Sequence, residues 1–200
     1  MTRLFGSTRV GGVWGIAFVV LLLVSAAMVS LPTASSSAGA ISAFYKAHSA
    51  IIVVQQVVGV VALAPFVLFA LSLRRNRWLL PAIFLFAGVE LVTNVLPLAM
   101  VASPDSGGSL TVVEDIADSA LFAAVALFVV VATLDDPSWL RGLAVLVAVL
   151  SVIRAVASPL GMTALDFVAP LAFVAFVLLL SIRKLAGVGA ARQGTAPANR

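Results

Sequence analysis

The sequence predicts an all-α membrane protein, a bundle of six transmembrane helices in three antiparallel hairpins, with both the N and C termini cytoplasmic. Of its 200 residues, 62% are hydrophobic and only 10% are charged, whereas soluble domains carry about 25% charged residues. Mean hydropathy is +1.20. The apolar residues fall in six runs, each close to the roughly 20 residues that cross a bilayer as a helix.

The six runs are predicted to form one bundle over residues 1–184. Loops between them are short, which favours antiparallel packing of consecutive helices. The predicted spans cover residues 12–31, 49–73, 78–101, 111–134, 139–158 and 162–182. The tail, residues 185–200, is rich in Gly, Ala and Pro, which predicts a disordered cytoplasmic segment.

Each span has a boundary signal of its own. No charged residue lies between Arg9 and Lys46, so the first span is almost purely apolar, and the second ends at the basic run 74–77. Trp78 opens the third span, and Trp139 opens the fifth, as expected for indole rings at a membrane interface.

The fourth span begins with a Thr-x-x-Glu pattern, Thr111 to Glu114, which is typical of a helix capping box. The sixth ends at the basic pair Arg183 and Lys184. With these two signals, a boundary signal is identified for the fourth and the sixth predicted span as well.

The basic residues predict the orientation in the plasma membrane. Lys46 lies in an opposite loop and Arg154 lies within a span, but the other ten Lys and Arg residues fall on one side, which the positive-inside rule assigns to the cytoplasm. These ten are Arg3, Arg9, Arg74, Arg75, Arg77, Arg141, Arg183, Lys184, Arg192 and Arg200. As an alternative, Arg3 and Arg9 followed by an apolar run also resemble a signal peptide, whose cleavage would leave five spans.

An amphipathic segment precedes the second span. Ile41, Phe44, Tyr45 and His48 follow one another at helical spacing, so the segment is predicted to lie on the outer surface and lead into the span. His48 would then lie at the mouth of an outer pocket, where a solvated histidine, a pH sensor and a metal ligand are alternative roles.

Polar residues within or beside the spans are the candidate site. Each acid or Arg near mid-helix costs about 2.5–3.5 kcal/mol in hydrocarbon, so these side chains must face one another or lie near the interface. Counting along each helix places nearly all of them in the outer half, which predicts a polar outer pocket above an apolar plug. The candidates are Gln55, Gln56, Glu90, Asn94, Glu114, Asp115, Asp118, Arg154, Asp166 and His48.

Spacing predicts two contacts within this set. Glu90 and Asn94 are four residues apart, on one helix face, and Glu90 is the deepest carboxylate. Arg154 and Asp166 flank a short turn at similar estimated depth, which predicts an ion pair. Interface capping for Glu114 and Asp115, and structural hydrogen bonding for Gln55 and Gln56, are the alternative interpretations.

Several function classes are excluded or disfavoured. The chain has no Cys and one His, which excludes disulfides, thiolate catalysis and sites that need two His ligands. No zinc-protease, nucleophile-elbow or phosphate-loop motif is present, so no cofactor is predicted and an enzyme is disfavoured. The basic residues flank the predicted spans, so the chain has no basic soluble module that could bind nucleic acid.

The pattern of Phe44 and Tyr45 before His48, with the Leu-Arg-Arg stop at residues 73–75, resembles that of small uncharacterised six-helix membrane proteins from high-GC bacteria. The resemblance implies a six-helix bundle and no particular activity.

The leading hypothesis is a multi-pass membrane protein that binds or transports a small cation, proton or polar solute through an outward-facing pocket. The alternative is a structural or accessory subunit whose polar residues pack helices or contact a membrane protein partner. A lipid or polyprenyl enzyme, with an acidic pair holding a divalent ion, is a weaker third hypothesis. The bilayer is the expected partner in every case.

Overall fold

The computed structural model describes residues 8–73, 76–160 and 165–187. This part of the chain forms six α-helices and two short 3-10 turns, and it contains no β-strand. All six helices are long and apolar enough to cross a membrane, so the predicted all-α, six-helix class is confirmed. The helices are α1 Thr8–Met28, α2 Ala38–Leu71, α3 Leu79–Ala102, α4 Gly107–Ala132, α5 Ser138–Ala157 and α6 Val168–Leu185.

Helix α2 begins earlier than the sequence predicts, because the amphipathic segment is part of it. Ser37 caps the helix by accepting a hydrogen bond from the backbone N–H of Ala40 (3.3 Å). The backbone at His48 is not helical (φ −114°, ψ 15°), so the helix kinks where the surface segment meets the span. Ile41 and Tyr45 are fully buried rather than interfacial.

Helix α4 also begins early, and the predicted capping box is wrong. The 3-10 turn Pro104–Ser106 leads directly into the helix at Gly107, so Thr111 lies one turn inside. Its buried hydroxyl donates to the Gly107 carbonyl (2.7 Å) and lies 3.3 Å from the sulfur of Met100. Helix α6 begins at Val168 rather than at residue 162, and residues 161–164 and the predicted disordered tail beyond residue 187 lie outside the described residues.

Five phenylalanine rings, one each from α1, α2, α3, α4 and α6, form the centre of the bundle. Phe66 is the hub, with ring centroids 4.2 Å from Phe86, 5.1 Å from Phe18 and 5.1 Å from Phe128. Phe173 completes the set at 5.7 Å from Phe86. We call these five rings the aromatic core, and all are buried.

Cross-helix contacts define two ends of the bundle. At one, the acidic end, Lys46 binds Asp105 (2.8 Å) and Asp115 accepts from the backbone N–H of Ala34 (3.0 Å). At the opposite end, the basic end, Arg183 binds Asp136 (2.9 Å) and Lys184 donates to the Ser72 carbonyl.

Candidate functional site

A cavity of about 300 Å³ lies between the aromatic core and the acidic end. All six helices contribute to its wall, which is polar on one part and aromatic or aliphatic on the rest. Seven of the ten candidate residues from the sequence line it: Gln55, Gln56, Glu90, Asn94, Glu114, Asp118 and Arg154. Helices that are distant in sequence therefore bring most of the candidate set to one place.

Glu90 and Asn94 form a polar contact on the cavity wall. The side-chain amide of Asn94 donates to Oε1 of Glu90 (3.2 Å) and to its backbone carbonyl (2.7 Å). Asn94 is only 5% exposed and packs against Gly59 of α2, where a β-carbon would collide with the Asn94 carbonyl oxygen. The absence of a side chain at Gly59 thus lets α2 hold Asn94 against Glu90.

Arg154 is the one Lys or Arg on the cavity wall within the described ranges, and two carboxylates neutralise it. Its Nη1 lies 2.7 Å from Oδ2 of Asp118, and its Nε lies 3.5 Å from Oδ1 of Asp166. Neither nitrogen is aligned as a hydrogen-bond donor, so the attraction is ionic. The guanidinium also lies 3.9 Å from the centroid of the Phe122 ring, within cation–π range.

The predicted approach of Arg154 to Asp166 is confirmed, but Asp166 is the more distant of its two partners. Asp118, another of the candidate residues, binds Arg154 more closely. Counting residues along a helix estimates the depth of the α-carbon in the membrane. The long Arg side chain extends further into the bundle than its α-carbon.

The two glutamines have different roles. Gln55 fixes α1 to α2, because its amide donates to the carbonyls of Ser25 (3.0 Å) and Val29 (2.9 Å) while the Ser25 hydroxyl donates back to the Gln55 carbonyl (3.1 Å). Gln56 is 6% exposed and lines the cavity, and its side chain has no hydrogen-bond partner among the described residues. Gln55 thus packs helices together through its amide N–H groups, although its side-chain oxygen is buried without a hydrogen-bond partner among the described residues, and Gln56 also lines the cavity.

Three candidates do not line the cavity. Asp115 is turned about 100° around the helix from Glu114 and instead holds the loop at Ala34. Asp166 forms an ion pair with Arg154 but is not among the residues that line the cavity. His48 is exposed at the α2 kink, where its ring stacks on Phe44 (4.4 Å) and its Nδ1 lies 3.0 Å from the Phe44 carbonyl, so it is not at the cavity mouth.

Sequence reasoning missed the aromatic part of the wall. Phe18, Phe86 and Phe173 belong to the aromatic core and also line the cavity, and Phe122 covers Arg154. A phenylalanine within an apolar span gives no sign of facing a cavity, so only the packing of the helices reveals this surface.

Among residues 8–73, 76–160 and 165–187, no group of three or more His, Cys, Asp and Glu side chains is placed to hold a metal ion. The six apolar helices define a multi-pass membrane protein, here with a polar cavity between its helices. Comparisons of the chain with protein-family models, with curated proteins and with solved structures give no match.

Proposed function

We propose that this protein binds a small cation, a proton or a similarly small polar solute in the cavity, as a step in moving or sensing that solute at the membrane. One observation carries the proposal: three carboxylates, Glu90, Glu114 and Asp118, line the same cavity, and Arg154, the one cation among the described residues of its wall, is bound to Asp118 and to Asp166.

Glu90 and Glu114 are the two carboxylates left for a ligand. Neither has a Lys, Arg or His within salt-bridge distance among the described residues, and the Glu90 carboxylate accepts its hydrogen bond from the neutral amide of Asn94. Carboxylates within the membrane that lack a cationic partner are costly, and a bound cation or proton offsets that cost. The charge of the site therefore favours cations over anions.

The acidic end is proposed to face the outside of the plasma membrane, since the basic residues cluster towards the opposite end. The solute would enter from outside and stop at the aromatic core, whose buried rings close the centre of the bundle. Passage through the protein would require those rings to move, and binding alone would not.

This orientation predicts the labelling of single cysteines, which is direct to test because the chain has no native Cys. In intact cells, an impermeant maleimide should label Ser36→Cys, in the loop before α2, and should not label Arg77→Cys, before α3. Labelling of both after lysis is the control for reactivity. Labelling of Arg77→Cys alone in intact cells would reverse the proposed orientation.

Glu90 is expected to be required for binding and dispensable for folding. At a cation concentration a hundred times Kd, binding should stabilise purified protein by about 2.7 kcal/mol, measured as a rise in the thermal unfolding temperature at fixed total chloride with Na⁺ or methylammonium as the probe. Glu90→Gln keeps the shape of the side chain and should abolish the rise. Infrared spectroscopy of the carboxyl region reports a proton site instead, as a pH-dependent band that is absent in Glu90→Gln.

The matched control is Asp105→Asn, which removes an acid at the same end that binds Lys46 and lies off the cavity. It should retain the full cation response. If the wild-type protein shows neither a cation response nor a Glu90 band, the binding proposal is wrong.

The second candidate function, a structural or accessory subunit, is favoured by the hydrogen bonds from Gln55 of α2 to the carbonyls of Ser25 and Val29, and by the close packing of Asn94 on Gly59 of α2. It predicts that Glu90→Gln reduces the yield of folded protein, with no cation response to lose. Size-exclusion chromatography of the same variants separates the two functions.

A further inference from the structure

We propose that the ligand of the cavity is a small amphipathic organic cation: an ammonium group held by Glu90 and Glu114, carrying an apolar body that packs on Phe18, Phe86 and Phe173. This inference rests on the proposed function, and it names the class of solute that the cavity wall fits.

The wall has two chemically different parts. Its polar part comes from α1 to α5 and includes the carboxylates of Glu90 and Glu114 together with the ion pair of Asp118 and Arg154. Its apolar part includes three of the five phenylalanines of the aromatic core, with ring centroids 6.2 Å apart for Phe18 and Phe173 and 5.7 Å apart for Phe86 and Phe173. A ligand with one charged end and one apolar end satisfies both parts at once.

The polar groups match an ammonium group. It carries hydrogen-bond donors and a positive charge, which Glu90 and Glu114 can accept and neutralise. Gln56 also lines the cavity, and its side-chain carbonyl can accept a further ammonium hydrogen. Aromatic ring faces attract cations too, so the phenylalanines do not repel the charged end.

Cavity size and ligand chemistry argue against a bare metal ion. A volume of about 300 Å³ is at the lower end of the range for small-molecule sites and exceeds what an ion alone would fill. The described residues also offer no cluster of three metal-ligating side chains. An organic body fills the remaining space without further polar ligands.

The experiment compares phenethylammonium with three relatives on the purified full-length protein in lipid nanodiscs, by equilibrium dialysis against empty nanodiscs. Methylammonium lacks the apolar body, 2-phenylethanol lacks the charge, and 3-phenylpropanoate reverses it. Phenethylammonium should bind at least tenfold more tightly than each of them. In a series of linear alkylammonium ions, each added methylene should strengthen binding about fourfold until the cavity is full.

Variants of the protein test which residues bind the ammonium group of the ligand and which bind its apolar body. Glu90→Gln and Glu114→Gln should each weaken phenethylammonium binding at least tenfold, and Phe173→Leu should weaken phenethylammonium binding by a larger factor than methylammonium binding. The matched control for the ring is Phe167→Leu, which changes a phenylalanine that is 74% exposed and lies off the cavity. Because Leu remains apolar, the two ring variants are expected to fold, and size-exclusion chromatography checks this for all four.

Two outcomes would overturn the inference. In one, phenethylammonium binds no more tightly than methylammonium or 2-phenylethanol; in the other, Phe167→Leu and Phe173→Leu lose equal affinity. If methylammonium or Na⁺ still gives a response that depends on Glu90, the proposed function stands without the organic ligand. If no cation binds and no Glu90 carboxyl band titrates, both proposals fail.

Discussion

Replacing Arg154 by Leu is expected to lower the free energy of unfolding by about 3 kcal/mol. Arg154 is 8% exposed, and its removal leaves Asp118 and Asp166 close together with no cation between them. Breaking a buried ion pair from one side costs about 3–5 kcal/mol, and the partial exposure of both carboxylates places the expected value at the lower end. The measurement is equilibrium unfolding in mixed micelles with increasing SDS.

Asp118 and Asp166 should contribute unequally to the free energy of unfolding. Asp118 lies 2.7 Å from Arg154 and is the less exposed, so Asp118→Asn should cost more than Asp166→Asn, whose longer and more exposed contact is worth about 1 kcal/mol or less. Arg154→Leu combined with Asp118→Leu should be less damaging than the sum of the two single changes, because no unpaired charge remains at the closer contact. Strict additivity in this double-mutant cycle would show that the closer pair does not contribute.

The fold class was predictable from the sequence because it depends on the length and hydrophobicity of each segment, which do not depend on the rest of the chain. An apolar run of about 20 residues specifies a membrane helix without reference to its neighbours. Helix starts were less predictable, since they depend on contacts: Gly107 packs on Ile41 of α2, and this lets α4 begin a full turn before Thr111. Nothing in the local sequence at Thr111 reports that contact.

The sequence predicts the candidate site to the extent that the energetic cost of polar groups in the membrane and their helical spacing determine it. Polar residues in hydrocarbon must find one another, and this argument identifies Glu90, Asn94 and Arg154 correctly as inward-facing groups. It treats Asp115 and Asp118 alike, although Asp115, nearly one turn closer to the start of α4, accepts from the Ala34 N–H, whereas Asp118 lines the cavity. The partner choice of Arg154 depends on its side-chain reach and on the offset between α4 and α5, which spacing within one helix does not encode.

The second large effect is expected at Phe66. This ring is fully buried and contacts Phe18, Phe86 and Phe128, so it joins α1, α3 and α4 through α2. Phe66→Ala should lower the free energy of unfolding by about 3 kcal/mol, the lower end for such changes in soluble cores. The value is at the lower end because lipid solvates a phenylalanine about as well as the core does, so the loss is one of packing rather than of hydrophobic transfer.

Phe84→Ala provides the matched control, since Phe84 lies on the neighbouring helix α3 and is 73% exposed. It should change the unfolding free energy by less than about 0.5 kcal/mol in the same SDS titration. Phe66→Ala should also extend the cavity into the space of the lost ring, because Phe66 packs directly on the lining residues Phe18 and Phe86. Equal losses for Phe66→Ala and Phe84→Ala would mean that the aromatic core does not hold the bundle together, and it would then be a poor barrier below the cavity.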